Sequence, residues 1–268
     1  MNNKNSELTL EKALTLKPVD TGLWQTTASK DYEANTGMFG GLTAALLLKA
    51  ITDDTRSSGS PSSITVNYVN RIEPGSQLTI HVQPMGGGRS ITHWRSEIYN
   101  EDQSELKAYA TVILAKRRES TQHNEWTMPQ VPAPKADTRF APPGTFGQQM
   151  RISPVAGFPP FGQENTQSIS WIKERSGRDI DAIQLCYLSD VYPPRIWYIG
   201  KEPRPSATLT LSVYFHATPE QMARIGDDYV LSEVTGTRAE HATMGSQARL
   251  WSSAGELLAT TEQLCWFK

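Results

Sequence analysis

The sequence predicts an α+β protein made of two similar units, each an antiparallel β-sheet wrapped around one central helix. Each half contains one apolar segment of helical length, followed by four segments with strand-like alternation. A proline-rich stretch separates the halves, and the segments on either side of it resemble each other. Together these observations favour two tandem units over a single large domain.

The first unit, residues 1–118, opens with a short strand at residues 22–29. A helix is predicted from about residue 41 to 52, because apolar residues occur nearly all around it, which indicates burial. The glycines at 86–88 precede no helix, so we interpret them as a hairpin turn and not as a phosphate-binding loop. Four strands follow the helix, at residues 64–71, 77–83, 90–99 and 106–115.

Residues 119–166 are predicted to be an extended linker. They hold eight of the 17 prolines and show little strand or helix periodicity. So long a connection is uncommon within one compact domain, which indicates a boundary between units. The second unit, residues 167–268, repeats the order of the first. It has a strand at 168–174, a helix near 180–191, and strands at 208–216, 229–237, 242–251 and 257–267.

Short stretches of the two units also match. One strand-like run ends in Tyr68-Val-Asn-Arg-Ile-Glu-Pro74, and the corresponding run ends in Tyr214-Phe-His-Ala-Thr-Pro219. The last strands align from Glu105 and Glu256 onward, which sets Val112 against Gln263. The sequence therefore predicts an internal repeat of which only the second copy carries this glutamine.

The composition is that of an ordinary globular protein, with 38% hydrophobic and 20% charged residues. A net charge of −2 gives no electrostatic basis for binding nucleic acid or an anionic membrane. The longest apolar run, residues 42–51, is too short to span a bilayer, and the N-terminus lacks a secretory signal core. Cys186 and Cys265 are expected to be free core residues in a reducing compartment. We therefore expect a cytoplasmic protein.

Five motifs occur in the order found in the type II acyl-CoA thioesterases, a family with two hotdog units in one chain. The first helix opens with Phe39-Gly40-Gly41, which resembles the family's FGG. The family's YFLRPG is replaced by Tyr68-Val-Asn-Arg-Ile-Glu-Pro-Gly75. Its ASD, ATIDHSMWFH and TVQ motifs resemble Leu188-Ser-Asp190, Ala207-Thr-Leu-Thr-Leu-Ser-Val-Tyr-Phe-His216 and Thr261-Glu-Gln263. The resemblance spans nearly the whole chain except the linker and the first dozen residues, and it implies a double hotdog fold.

The resemblance also implies a catalytic set. The family uses an Asp, a Thr and a Gln to hold and activate a water molecule, and these correspond to Asp190, Thr208 and Gln263. Asp190 would be the general base or the anchor of the water, and the other two would hold that water. Without the resemblance, Asp190 would be interpreted as a surface residue that ends a helix.

The first helix is expected to contribute to substrate binding through Phe39, Gly40 and Gly41. Backbone N–H groups at a helix N-terminus can stabilise a developing oxyanion, and glycine lets a substrate approach the backbone closely.

The sequence departs from the family pattern at three places. The FHRP motif becomes Phe215-His-Ala-Thr-Pro219, with an added residue and no arginine. The acidic residue of TIDHS is replaced by Thr210, and the bulkier Tyr187 and Leu188 precede Asp190. These changes leave the catalytic set intact and affect the expected shape of the acyl pocket.

The function that the resemblance implies is hydrolysis of an acyl-CoA thioester to a free acid and CoA. No metal or bound cofactor is expected, since the five histidines show no metal-ligand spacing. A serine hydrolase is disfavoured because the sequence has no GxSxG motif. One alternative is a non-catalytic acyl-thioester-binding protein. Another is a hotdog hydratase or dehydratase, although neither predicted helix contains the expected histidine. The resemblance also implies a homo-oligomer, either a dimer or a tetramer.

Overall fold

The computed structural model describes residues 10–135 and 141–268. Single turns of 3₁₀ helix lie at Lys30–Tyr32 and Thr145–Gln149. The first half contains α1 (Leu10–Ala13), β1 (Lys17–Asp20), β2 (Leu23–Thr27), β3 (Glu33–Ala34), β4 (Gly37–Met38), α2 (Gly40–Thr52), β5 (Ser60–Tyr68), β6 (Gln77–Gly87), β7 (Ile91–Asn100) and β8 (Leu106–Ala115). The second half contains β9 (Met150–Ala156), β10 (Ser168–Glu174), α3 (Ala182–Leu188), α4 (Ile196–Ile199), β11 (Ser206–Phe215), α5 (Pro219–Ala223), β12 (Val230–Glu240), β13 (Thr243–Ser252) and β14 (Leu257–Phe267).

Within the described residues, twelve strands form one antiparallel sheet, in the order β1-β2-β6-β7-β8-β5-β11-β14-β13-β12-β10-β9. The two halves meet at β5 and β11, where Ile64 pairs with Val213 and Val66 pairs with Leu211. Counted outward from this junction, β8, β7, β6, β2 and β1 mirror β14, β13, β12, β10 and β9. The sheet therefore has the approximate twofold arrangement that an internal repeat predicts.

The predicted helices and the principal strands are confirmed. Almost every side chain of α2 is buried, as its apolar composition predicts. The predicted hairpin is confirmed, but its turn lies at residues 88–90, because Gly86 and Gly87 still pair with β7. The second helix is shorter than predicted and ends at Leu188. Pro193 and Pro194 follow soon after, and proline cannot continue the hydrogen bonding of a helix.

The short β3–β4 pair was not predicted, and two strands of the large sheet, β1 and β9, also lie where none was predicted. β9 falls inside the stretch 119–166, so the prediction that this stretch lacks regular structure is wrong at Met150–Ala156. Each of the two strands contains a proline, Pro18 or Pro154, and each lies at an edge of the sheet. Proline cannot donate to a strand ladder, which weakens the strand signal and confines such strands to edges. The unit boundaries at residues 118 and 167 stay a prediction.

The register of the sheet corrects one detail of the repeat. Tyr68 pairs with Ala108, and Phe215 pairs with Ala259. Because Ala108 and Ala259 are equivalent in the last strands, Tyr68 corresponds to Phe215 and not to Tyr214. A shift of one residue reverses the face of the sheet. In agreement, Phe215 is 2% exposed and Tyr214 is 44% exposed.

Candidate active site

Asp190 lies in a tight turn directly after α3. The turn is closed by the backbone N–H of Tyr192, which donates to the Asp190 carbonyl oxygen at 3.1 Å. Helix α2 packs closely beside α3, since a Cβ atom added at Gly41 would collide with the carbonyl oxygen of Tyr187. This packing brings the N-terminus of α2 against the Asp190 side chain.

A β-bulge in β11 directs Thr208 toward the helices. Thr208 pairs with Cys265 on β14, but Thr210 pairs with the adjacent Leu264, so Leu209 is an extra residue. Leu211 and the alternate residues after it are buried against the helices. If Leu209 were paired as a regular residue of the ladder, strand alternation would place Thr208 on the outer face. The bulge therefore puts the Thr208 hydroxyl on the same face of the sheet as the Gln263 side chain.

The Gln263 side chain connects the other two residues. Its Nε2 donates to Asp190 Oδ1 at 2.6 Å and to Thr208 Oγ1 at 3.0 Å. Its Oε1 accepts from the Tyr192 hydroxyl at 3.2 Å and from the Cys265 thiol at 3.2 Å. Gln263 is 5% exposed, so a full set of partners is what a buried amide requires. Three residues that lie far apart in the sequence thus form one hydrogen-bonded group.

Asp190 has the electrostatics of a group that can exchange a proton near neutral pH. Burial raises the pKa of its carboxyl from 3.8 to about 7, against the lowering effect of hydrogen bonds from Gln263 and the Gly41 backbone. The raised pKa follows from desolvation of the charged form. Asp190 as a whole is nevertheless only partly buried. A carboxylate of this kind is a suitable base for a water molecule.

Two glycines let α2 approach Asp190. The backbone N–H of Gly41 donates to the carboxylate, where the positive end of the helix dipole also favours negative charge. A Cβ atom at Gly40 would lie 2.6 Å from Asp190 Oδ2, so any larger residue would occupy the carboxylate's position. The Tyr68 hydroxyl donates to the Gly40 carbonyl oxygen at 2.9 Å, which holds this turn against β5.

Phe39, the third substrate-binding candidate, lies in an aromatic cluster. Its ring stacks on Phe146 with the ring centroids 4.2 Å apart and meets Tyr187 edge-on at 5.4 Å. The Phe39 side chain is 4% exposed, so its ring packs within this cluster beside the glycines.

Comparisons with known proteins identify the family. The model for the acyl-CoA thioesterase N-terminal domain matches residues 29–113. The model for the acyl-CoA thioesterase C-terminal domain matches residues 126–267. The chain belongs to the acyl-CoA thioesterase family. Acyl-CoA thioesterases of this type place two related domains in tandem, and the order of the two matches confirms the predicted resemblance.

Solved structures confirm the double hotdog fold of this acyl-CoA thioesterase family member. A conserved hot dog protein of unknown function from Alicyclobacillus acidocaldarius is 30% identical, with a TM-score of 0.91 and 97% coverage of both chains. An acyl-CoA thioesterase II from Mycobacterium marinum is 16% identical, with a TM-score of 0.77 and coverage of 97% of this chain and 98% of its own. At that identity the second likeness shows the fold alone. No curated protein gives a significant match.

Because the two halves of this acyl-CoA thioesterase family member are repeats, the candidate site has a counterpart that approximate twofold symmetry relates to it. Val112 pairs with Ile64 as Gln263 pairs with Leu211, so Val112 in the first half occupies the position equivalent to Gln263 in the second. A bulge next to Pro61 matches the bulge next to Thr208. A cavity of about 640 Å³ lies there, where α2 ends and α3 begins, and Pro61 lines it. Because proline and valine replace threonine and glutamine, this position lacks the hydroxyl and the amide found around Asp190. The cavity is lined beside α3 by charged residues instead, namely Arg178, Asp179 and Asp181.

Two partners of Gln263 were not predicted from the sequence. Tyr192 follows Asp190 by two residues, and Cys265 follows Gln263 by two, but neither spacing is a recognisable motif. Burial raises the pKa of the Cys265 thiol to about 12, so it is neutral at physiological pH and a poor nucleophile. In the part of the chain that the structure describes, no helix has the length and hydropathy needed to cross a bilayer.

Proposed function

We propose that this protein hydrolyses an acyl-CoA thioester to a free acid and CoA, with Asp190, Thr208 and Gln263 as its catalytic residues. The observation that carries the proposal is the Gln263 amide, which donates to both Asp190 and Thr208. A carboxylate with a pKa of about 7, a hydroxyl and an amide next to a helix N-terminus suit activation of water.

The chemistry follows from these groups. Asp190, in its ionised form, accepts a proton from a water molecule held by Thr208, while the Gln263 amide orients both side chains. The water oxygen attacks the thioester carbonyl carbon. N–H groups in the first turn of α2 stabilise the oxyanion. The tetrahedral intermediate then collapses, the carbon–sulfur bond breaks, and the protonated Asp190 returns its proton to the leaving thiolate. The products are a carboxylic acid and CoA.

The contacts of the two glycines support a separate role for each. The Gly41 N–H already donates to Asp190. We therefore assign Gly41 to anchoring the base, and Gly40, at the start of the helix, to contact with the substrate carbonyl. Phe39 contributes through the shape of the pocket wall.

The test is release of free thiol from a panel of acyl-CoA esters, from short to long chain and including aromatic acyl groups. Wild type and Asp190→Asn are compared under identical conditions. Loss of the base should slow hydrolysis by a factor on the order of 10² to 10⁴. Hydrolysis that persists unchanged in Asp190→Asn would mean that the reaction occurs at another site. Saturable acyl-CoA binding by the folded wild type, without thiol release, would instead support the binding-protein alternative.

A further inference from the structure

The orientation of the Gln263 amide determines what it offers to Asp190. All of its hydrogen-bonding capacity is used, with two N–H groups toward Asp190 and Thr208 and the oxygen toward Tyr192 and Cys265. If the amide turned by half a rotation, its oxygen would lie against the carboxylate and both donors would be lost. Of the two groups on the oxygen side, the Tyr192 hydroxyl is the stronger donor, because a thiol donates weakly.

The ring of Tyr192 is itself held by a buried cation. Arg195 is 3% exposed, and its guanidinium carbon lies 5.4 Å from the Tyr192 ring centroid and 4.1 Å from that of Tyr198. No carboxylate forms an ion pair with it in the described residues. Its N–H groups instead donate to oxygens of Thr166, Ser168 and Pro193. The planar guanidinium therefore lies between two tyrosine rings in a fixed position.

We propose that Tyr192, held against Arg195, is a positioning residue that keeps the Gln263 amide turned toward Asp190 and Thr208. The kinetic part of this inference rests on the proposed function. Its geometric part does not rest on that function, because it concerns only how Tyr192 orients the Gln263 amide, which donates to the Asp190 carboxylate.

The groups that face Asp190 explain why this control matters. Tyr68 on β5, Cys186 on α3, Cys265 on β14 and Tyr192 surround it, and burial raises the pKa of all four above their ordinary values. They are uncharged near pH 7, so none supplies a positive charge. The donors that oppose burial at Asp190 are the Gln263 amide and the Gly41 N–H. Weaker donation from Gln263 should therefore raise the pKa of Asp190.

The chain offers a matched pair of variants. Tyr192→Phe keeps the ring against Arg195 and removes only the hydroxyl. Tyr198→Phe is the control, since Tyr198 contacts the same guanidinium and its hydroxyl makes no hydrogen bond to Gln263. Both substitutions remove one hydroxyl near one cation, so a general effect on packing should appear in both.

The first measurement is the pH dependence of thiol release for wild type and both variants. Tyr192→Phe should lower kcat about tenfold with KM nearly unchanged, as expected for loss of one hydrogen bond in the catalytic group. The acid limb of its pH–rate profile should move to higher pH by about half a unit or more. Tyr198→Phe should match wild type in kcat and in the position of the acid limb. A fall in kcat with an unmoved acid limb would contradict the proposal, because it would indicate a merely structural role.

The second measurement does not depend on turnover. The titration midpoint of the Asp190 carboxyl is followed by carbon NMR in the three proteins, with Asp190→Asn used to assign the signal. A higher midpoint in Tyr192→Phe than in wild type and Tyr198→Phe would support the positioning role even if no acyl-CoA is hydrolysed, and only the proposed function would then fail. The same midpoint in all three would overturn the inference, whether or not the wild type is active.

Discussion

Asp190 combines two opposing requirements in one side chain. The carboxylate must be desolvated to accept a proton near neutral pH, and it must also be held in place while ionised. Burial raises its pKa, whereas hydrogen bonds from Gln263 and Gly41 favour the charged form. The balance leaves it at about 7. Ionisation of this buried carboxyl therefore lowers the free energy of unfolding of the protein.

This cost predicts how Asp190→Asn changes stability. Because the folded pKa of about 7 exceeds the ordinary 3.8, the native state binds the proton more tightly than the unfolded state, and wild-type stability falls as pH rises through this window. Asparagine does not titrate. The free energy of unfolding of Asp190→Asn relative to wild type should therefore increase by about 2 kcal/mol from pH 5 to pH 8.

Denaturant titrations of both proteins at the two pH values measure this difference. Other titrating groups are common to the two proteins and cancel in the comparison. A stability difference that does not change with pH would contradict the raised pKa of Asp190.

The residues of the candidate site were predictable from the sequence to different degrees. That Asp190, Thr208 and Gln263 belong together was predicted because each lies in a motif with a family counterpart, and they are hydrogen-bonded to one another. Tyr192 and Cys265 were not, because their contacts depend on the pairing of β11 with β14 and on the turn after α3. No local pattern in the sequence encodes such long-range geometry.

At the scale of elements, the start of α2 provides a contrast between adjacent glycines. At Gly40, an added methyl group would meet a side-chain carboxylate, and at Gly41 it would meet the backbone carbonyl of Tyr187 on α3. Gly40→Ala should therefore displace Asp190 and lower thiol release at least about a hundredfold, with a stable fold. Gly41→Ala should separate the helices and lower the free energy of unfolding by about 1–3 kcal/mol.

Thermal or denaturant unfolding of the two variants, measured beside thiol release, distinguishes these effects. Gly40→Ala that keeps wild-type activity would show that Asp190 moves away without consequence. An equally stable Gly41→Ala would show that α2 and α3 can adjust their spacing.

The strands show where sequence patterns succeed. β8, β10 and β14 were predicted to the residue, because each alternates between buried and exposed side chains or is bounded by clear turns. β1 and β9 were missed because proline interrupts the ladder at the two edges, where one unpaired side is tolerated.

At the scale of the whole molecule, the junction of β5 and β11 joins the two halves into one sheet. The Arg117 guanidinium lies at one end of this junction. It donates to the carbonyl oxygens of Pro61 at 3.0 Å and of Phe215 at 2.7 Å, one from each half. The Arg117 side chain therefore bridges the two halves.

Arg117→Met should lower the free energy of unfolding by about 1–2 kcal/mol, because two charge-assisted hydrogen bonds are lost at a partly exposed position. Arg118→Met is the control, since this exposed neighbour makes no hydrogen bond in the described part of the chain. Equilibrium urea unfolding of both variants measures the difference. Equal stabilities for the two variants would show that the bridge contributes nothing.

The bulge at Leu209 makes the site depend on the count of residues as well as on their chemistry. One extra residue reverses the phase of β11, so Thr208 faces the helices as Leu211 does. If Leu209 paired regularly with Cys265 instead, Thr208 would turn outward, although no functional group would be removed. Sequence changes in this strand that favour regular pairing would therefore disable the proposed site while its three side chains and the fold are retained. A comparison made only by residue identity would overlook such a change.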